Sequence, residues 1–258
     1  MEIDTKLVSI SDFLAANNLK MNIDKTELIR VASRQQHSGN RGERILLEAT
    51  NNMGERISPS NNAKILGILF MKTMVWRDYL EVGKDAVIPR LKKKLGALKF
   101  TCKYASEKAR EKLAHGCIMS VLLYGIQVWG LHCKPTVLKR VQSVQTNTLK
   151  WITGNYRWSL RALLEETKWM LIFQLTIYHS VLLYWKVKNH KEPERLIRRL
   201  NISSSTEARI LLTDRVWSRK SEYYYRQVEP LCVGLVRLSQ FKRTLSEWIR
   251  SNIPIYEE

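Results

Sequence analysis

The stretch from Ala114 to Gly130, AHGCIMSVLLYGIQVWG, limits the folds open to this chain more than any other feature, because it is the longest nearly uncharged run in the sequence. Ile118, Val121, Leu122, Gly125 and Val128 recur at the three-and-four spacing of one helical face, and Met119, Leu123 and Ile126 make the opposite face apolar as well. A helix apolar on most sides needs partners on most sides, so the run predicts a buried central helix. A membrane span needs about 20 apolar residues. This run is shorter, carries His115, Ser120 and Gln127, and follows the charged segment from Ser106 to Lys112, which makes it core.

A chain of 258 residues with 45% hydrophobic content can build one large or two modest cores. Its formal charge of +19 favours a polyanion as partner, nucleic acid before an acidic membrane surface. The excess is unevenly placed. Residues 1–75 hold ten Lys/Arg against eight Asp/Glu, a balance of +2, which leaves +17 for the remainder. Cys102, Cys117, Cys133 and Cys232 are far apart and form no CxxC pair, which points to free thiols in a reducing compartment and away from a zinc site. The start, MEIDTKLVSI, has two acids before its first base and no sustained apolar core, unlike a signal peptide. An intracellular location, nuclear or cytoplasmic, is the expectation.

The pattern predicts an α+β chain that is mainly α. A first helix through Leu7, Ile10, Phe13 and Leu14 should stop at Asn17-Asn18. Asp24-Lys25 reads as a turn, Glu27 to Ala32 as a short strand, the polar tract Ser33 to Arg44 as a loop, and Asn51-Asn52-Met53-Gly54 as the turn of a hairpin. A third strand, Ala63 to Phe70, completes a small antiparallel unit. From Trp76 onward the period is helical. Helices are expected from Trp76 to Val87, after Pro89 to about Tyr104, from Ser106 through the central run, from Pro135 to Gly154, from Ser159 to Thr167, from Trp169 to Lys188 and from Ser239 to Ser251; the tract to about Val236 has no clear period. Three regions result: 1–75, 76–200 and 201–258.

Two short elements become informative together: Asn18-Leu19-Lys20-Met21-Asn22-Ile23-Asp24-Lys25-Thr26-Glu27, then Lys64-Ile65-Leu66-Gly67-Ile68-Leu69. The first resembles the Leu-x-Asn-x-x-Lys-Thr-Glu motif, and the second the Leu-Gly strand that follows it, in reverse transcriptases of non-LTR (LINE-like) retrotransposons. The resemblance continues through Lys93-Lys94-Leu95-Gly96, Leu123-Tyr124-Gly125 with Trp129-Gly130, Gln142 to Gly154, and Phe241-Lys242-Arg243-Thr244-Leu245.

The resemblance implies the C-terminal remnant of a polymerase palm in 1–75, a helical thumb-like domain in 76–200 and a helical extension in 201–258. Lys25 would be the motif lysine near the leaving pyrophosphate, where an ammonium neutralises charge or donates a proton. Glu27 would orient that loop, and Leu66-Gly67-Ile68 would be the strand that grips the primer terminus. The helices after Trp76 would hold an RNA or RNA–DNA template–primer duplex, gripped by shape and backbone contacts.

Charge agrees with that reading on its own. Arg90, Lys92, Lys93, Lys94, Lys99 and Lys103 lie along one helix with no acid between the first and the last, Lys108, Arg110 and Lys112 open the next, and Lys139, Arg140 and Lys150 lie on the third. The tryptophans Trp129, Trp151, Trp158, Trp169 and Trp185 sit on or beside apolar faces and read as core, not as base-stacking groups.

Polymerase chemistry needs carboxylates holding two Mg²⁺ ions, and no Asp-Asp pair occurs in the sequence. The expectation is therefore a reverse transcriptase fragment, inactive alone, with no cofactor of its own; Mg²⁺ would come only with an upstream polymerase segment as partner. The alternative is a non-catalytic basic nucleic-acid-binding module, or a remnant without function. No membrane partner is expected.

Overall fold

The computed structural model describes residues 2–29, 31, 49–50, 56–83, 85–190, 212–232 and 238–255. It is mainly helical with small β ladders, and it divides into two compact units, Met1–Tyr79 and Leu80–Glu258.

The first unit opens with α1, Glu2–Ala16. Asn17 donates its side-chain amide to the Phe13 carbonyl, and Asn18 takes φ +55°, so the two asparagines end the helix as expected. Three ladders of two strands follow. β1 (Leu28–Ile29) pairs in parallel with β4 (Pro59–Ser60), β2 (Ala49–Thr50) is antiparallel to β3 (Arg56–Ile57), and β5 (Asn62–Ile65) is antiparallel to β6 (Ile68–Met71). The expected hairpin around Asn51-Asn52-Met53-Gly54 thus has its flanking strands paired, although its turn, like the tract Ser33 to Arg44, lies outside the described residues.

Two expectations need correction here. The first unit is not wholly antiparallel, since β1 and β4 run the same way, although its other two ladders are antiparallel. The strand expected over Ala63 to Phe70 is two strands, because the chain reverses at Leu66-Gly67, where φ is +48° and +83°. A two-residue hairpin turn with both φ positive matches the twist of its strands. Glycine accepts that backbone freely; Leu66 accepts it under strain, with its side chain 84% exposed.

The second unit is a bundle of helices. The helix expected from Trp76 to Val87 is only α2, Arg77–Leu80, most of which belongs to the first unit, and Gly83 at φ +117° stands between it and the next helix. α3, Val87–Thr101, then starts before Pro89, which sits in the first turn where a missing N–H costs nothing. α4, Glu107–Leu122, is capped by Ser106, whose Oγ accepts from the Ala109 N–H.

The central run is buried but is not one helix. Within α4 a π turn at His115–Met119 adds a residue to the spacing, and Gly125 in the left-handed region at φ +64° ends the direction altogether. The chain resumes as α5, Ile126–Trp129, at 44° to α4, and tightens into a single 3₁₀ turn at Gly130–His132. Ile118, Met119, Leu122, Ile126, Trp129 and Leu131 are buried, whereas Val128 faces outward, because the bend moves it off the inner side.

α6 (Pro135–Thr153), α7 (Leu160–Thr167) and α8 (Ile172–His190) match expectation, with Gly154 and Lys168 both left-handed at the C-caps of α6 and α7. α9 (Leu212–Val228) lies in the described part of the tract whose period was unclear, the rest of which is outside the described residues, and α10 (Leu238–Asn252) is the last helix described. α9 and α10 pack on α8 in one core around Ile177, Val181, Trp185, Tyr225, Phe241 and Leu245, with Trp185 and Phe241 stacked at 4.7 Å. His179, half-buried on α8, has its pKa pushed down by burial and then by the charge of Lys242. Among the described residues no single helix is long and apolar enough to cross a membrane.

Three glutamines fix the junction of α6, α8 and α10. Gln142 donates to Gln145 Oε1 at 2.8 Å and accepts from the Ile172 N–H at 2.9 Å. Gln145 donates to the Met170 carbonyl, and Gln174 joins the Leu171 N–H to the Ile253 carbonyl. Each bond satisfies a polar group that burial would otherwise leave unpaired, at about 1–3 kcal/mol apiece.

The tightest backbone approach is at Gly130, where an added Cβ would lie 2.5 Å from Thr176 Cγ2 and 2.9 Å from its Oγ1. Gly130→Ala should therefore destabilise the fold by about 1–3 kcal/mol, read from the midpoint of urea unfolding. Adding Thr176→Ala should restore part of the loss; full additivity of the two changes would show that this contact is not the cause.

Candidate nucleic-acid interface

α3 is amphipathic in an unusual way, with one apolar face and a solvent side that is basic from end to end. Val87, Ile88, Leu91 and Leu95 are buried, and the helix packs against α6. That leaves Arg90, Lys92, Lys93, Lys94 and Lys103 exposed, with Lys99 half-buried. At about 100° per residue, Lys92, Gly96 and Lys99 fall on one ridge, Arg90 and Lys94 on the opposite flank, and Lys93 between them. Arg90, Lys92, Lys93, Lys94 and Lys99 therefore share the solvent side of α3 without forming a single line, and Lys103 follows just past the helix end.

Other expected bases are drawn into the fold instead. Arg110 Nη1 donates to the Trp151 carbonyl at 2.6 Å, satisfying an orphan acceptor in the last turn of α6. Arg140 pairs with Glu81, whose side chain is only 7% exposed. The ion pairs of Arg140, Arg161, Arg226 and Arg243 are all made with glutamates and involve none of the bases of α3. Lys108, Lys112 and Lys139 are exposed, and Lys150 is half-buried.

The other expected site residues lie in the first unit. Lys25 is exposed at the end of a 3₁₀ turn, Ile23–Lys25, and its N–H donates to Asn22 Oδ1 at 3.1 Å. Thr26 Oγ1 donates to the Asn22 carbonyl at 2.7 Å, so Asn22 holds the turn from both sides. Glu27 Oε2 accepts from the Lys64 N–H at 3.0 Å, across 37 residues of sequence. That bond ties the loop of Lys25 to β5 and so to the hairpin of Leu66, Gly67 and Ile68. Leu66 and Gly67 form its exposed tip, and Ile68 is buried.

Three aromatic residues escaped the sequence reading. Phe100 is 87% exposed, Tyr104 93% and Tyr156 54%, and all three lie at or beside the C-terminal end of α3. Lys99 Nζ sits 5.3 Å from the centroid of Tyr156, and Lys103 Nζ sits 5.5 Å from that of Tyr104. The register of Leu91 and Leu95 already puts Phe100 on the solvent side of α3, so one signal was available. Of the tryptophans, Trp129, Trp151 and Trp185 are buried, and Trp169 is partly buried with its indole N–H on Glu111 Oε1 at 3.1 Å. Trp158, 38% exposed, departs from the expected core role.

No group of three or more His, Cys, Asp or Glu side chains able to hold a metal occurs among the described residues. The four cysteines are free thiols. Cys133 is pushed up to about 12 by burial, with the charge of Glu81 adding to the effect, so it is a poor nucleophile at neutral pH. No protein-family model, curated protein or solved structure matches the chain.

Gly96 stands on the Lys92–Lys99 ridge with open space where a Cβ would be. Nothing in the fold uses the missing side chain, so Gly96→Ala should raise stability by about 0.5–1 kcal/mol through helix propensity alone. A rise in the thermal midpoint checks it; a fall would mean that the helix needs glycine there.

Proposed function

We propose that this chain is part of a non-LTR retrotransposon reverse transcriptase and that α3 holds the template–primer duplex by its phosphates. The observation that carries the reading is the division of α3 into a buried apolar face and an unneutralised basic one. A helix anchored along one side cannot swing away from its ligand, so the ordering cost of binding falls on the lysine side chains alone. Each phosphate contact then releases counterions, which supplies the affinity without reading sequence. An A-like hybrid suits such a surface because its recognition rests on shape and backbone.

In the first unit, the motif order Asn18–Glu27 and Lys64–Leu69 supports the palm reading, and the bond from the Lys64 N–H to Glu27 supports an orienting part for Glu27. Lys25, exposed on a turn held by Asn22, would serve as the cation beside the leaving pyrophosphate once an upstream segment supplies the metal-binding carboxylates. On this reading the chain holds nucleic acid and does not polymerise by itself.

Charge reversal separates the α3 surface from the general field of a +19 protein. Lys92→Glu, Lys93→Glu and Lys94→Glu together should weaken binding of a blunt RNA–DNA hybrid by about 10- to 100-fold at 50 mM salt, roughly the loss of two or three phosphate contacts. Arg41→Glu with Arg44→Glu should cost much less. Equal losses from both sets, measured by fluorescence anisotropy, would reduce the effect to net charge and remove α3 from the proposal.

A further inference from the structure

We infer that the C-terminal end of α3 is a stacking site for unpaired bases, so that the protein takes a single-stranded polynucleotide here as well as a duplex on the lysine face. The inference rests on the reading that this unit meets nucleic acid, but a different observation carries it. Phe100 and Tyr104 are almost fully exposed, four residues apart, in a segment whose other side chains include Lys99, Thr101 and Lys103. Large aromatic rings lose contact energy when they stand in water, and neither ring is used by the core. Tyr156, from the loop after α6, lies beneath Lys99 and extends the platform.

The alternation of ring and cation selects the occupant. Along Lys99, Phe100, Lys103 and Tyr104, an ammonium group alternates with a π-face, which matches the alternation of phosphate and base along a single strand. Stacking of bases on aromatic rings beside a positive track is the general physics of sequence-tolerant single-strand binding. A duplex offers no base faces to such a platform, because its bases are already stacked. A bilayer would ask for contiguous apolar side chains with the ammonium groups set to one edge. Phe100 is the only wholly apolar ring here, and cations separate it from its neighbours.

The test uses the full chain and three probes: a 20-nucleotide oligo(dT) with its oligo(U) counterpart, a blunt RNA–DNA hybrid, and phosphatidylserine vesicles. Phe100→Leu with Tyr104→Leu keeps apolar bulk and removes the rings; because both positions are exposed, folding is not at risk, and far-UV circular dichroism checks it. The expected result is a loss of single-strand affinity of about 5- to 100-fold, the value of one or two stacked bases, with hybrid affinity unchanged within about 2-fold. Phe100→Trp should retain or tighten single-strand binding. Unchanged oligonucleotide binding in the leucine variant overturns the stacking site and leaves the duplex reading standing. Parallel loss for strand and hybrid makes the rings part of the general surface and also overturns it. Absence of binding to both nucleic acids by the native chain overturns the proposed function itself, and vesicle binding that depends on Phe100 would assign the platform to a membrane surface instead.

Discussion

The bent segment from Ile118 to Leu131 turns Ile118, Met119, Leu122, Ile126, Trp129 and Leu131 inward, and the helices of the second unit cover that face. α3 lies against its π turn, α6 against α4, and α8 against α5, with α9 and α10 on α8. At about 25 cal/mol per Å² of apolar surface removed from water, that coverage is what sets each helix in place. The bend at Gly125 lets a single run present burial surface in two directions, and the close fit of Gly130 on Thr176 fixes how near α8 can come.

The placement of α3 follows from the same demand. Its buried side is set by Val87, Ile88, Leu91 and Leu95, so the rest of its circumference is left to solvent, and there the sequence puts four exposed bases, the half-buried Lys99 and no acid. Core packing thus fixes the orientation of a charged surface. Arg110 and Arg140 mark the contrast: both are basic in the sequence, and both are occupied in holding the fold, one on the Trp151 carbonyl and one on Glu81.

Helix ends were the most legible part of the chain, because they depend on local chemistry. Asn17-Asn18, Ser106, Pro135, Gly154 and Ser159 each stop or start a helix where their side chains or backbone freedom predict it. The breaks were less legible. Gly125 and Gly83 lie inside apolar or mixed patterns that continue on both sides, and only tertiary packing decides whether such a glycine bends the chain. The Leu66-Gly67 turn was hidden for another reason: leucine at positive φ is rare, so the run Ala63 to Phe70 read as one strand. The candidate site divides likewise. The lysines of α3 followed from charge and period, whereas which arginines the fold would consume, and which aromatics it would leave in water, depended on contacts between distant segments.

The central claim is that α3 holds nucleic acid through its phosphates. The most direct measurement is the affinity of the full chain for an RNA–DNA hybrid across salt from 50 to 300 mM. Engagement of four to six phosphates should give a log–log slope of roughly −3.5 to −5.5. A flat dependence, or no binding at the lowest salt, would contradict it.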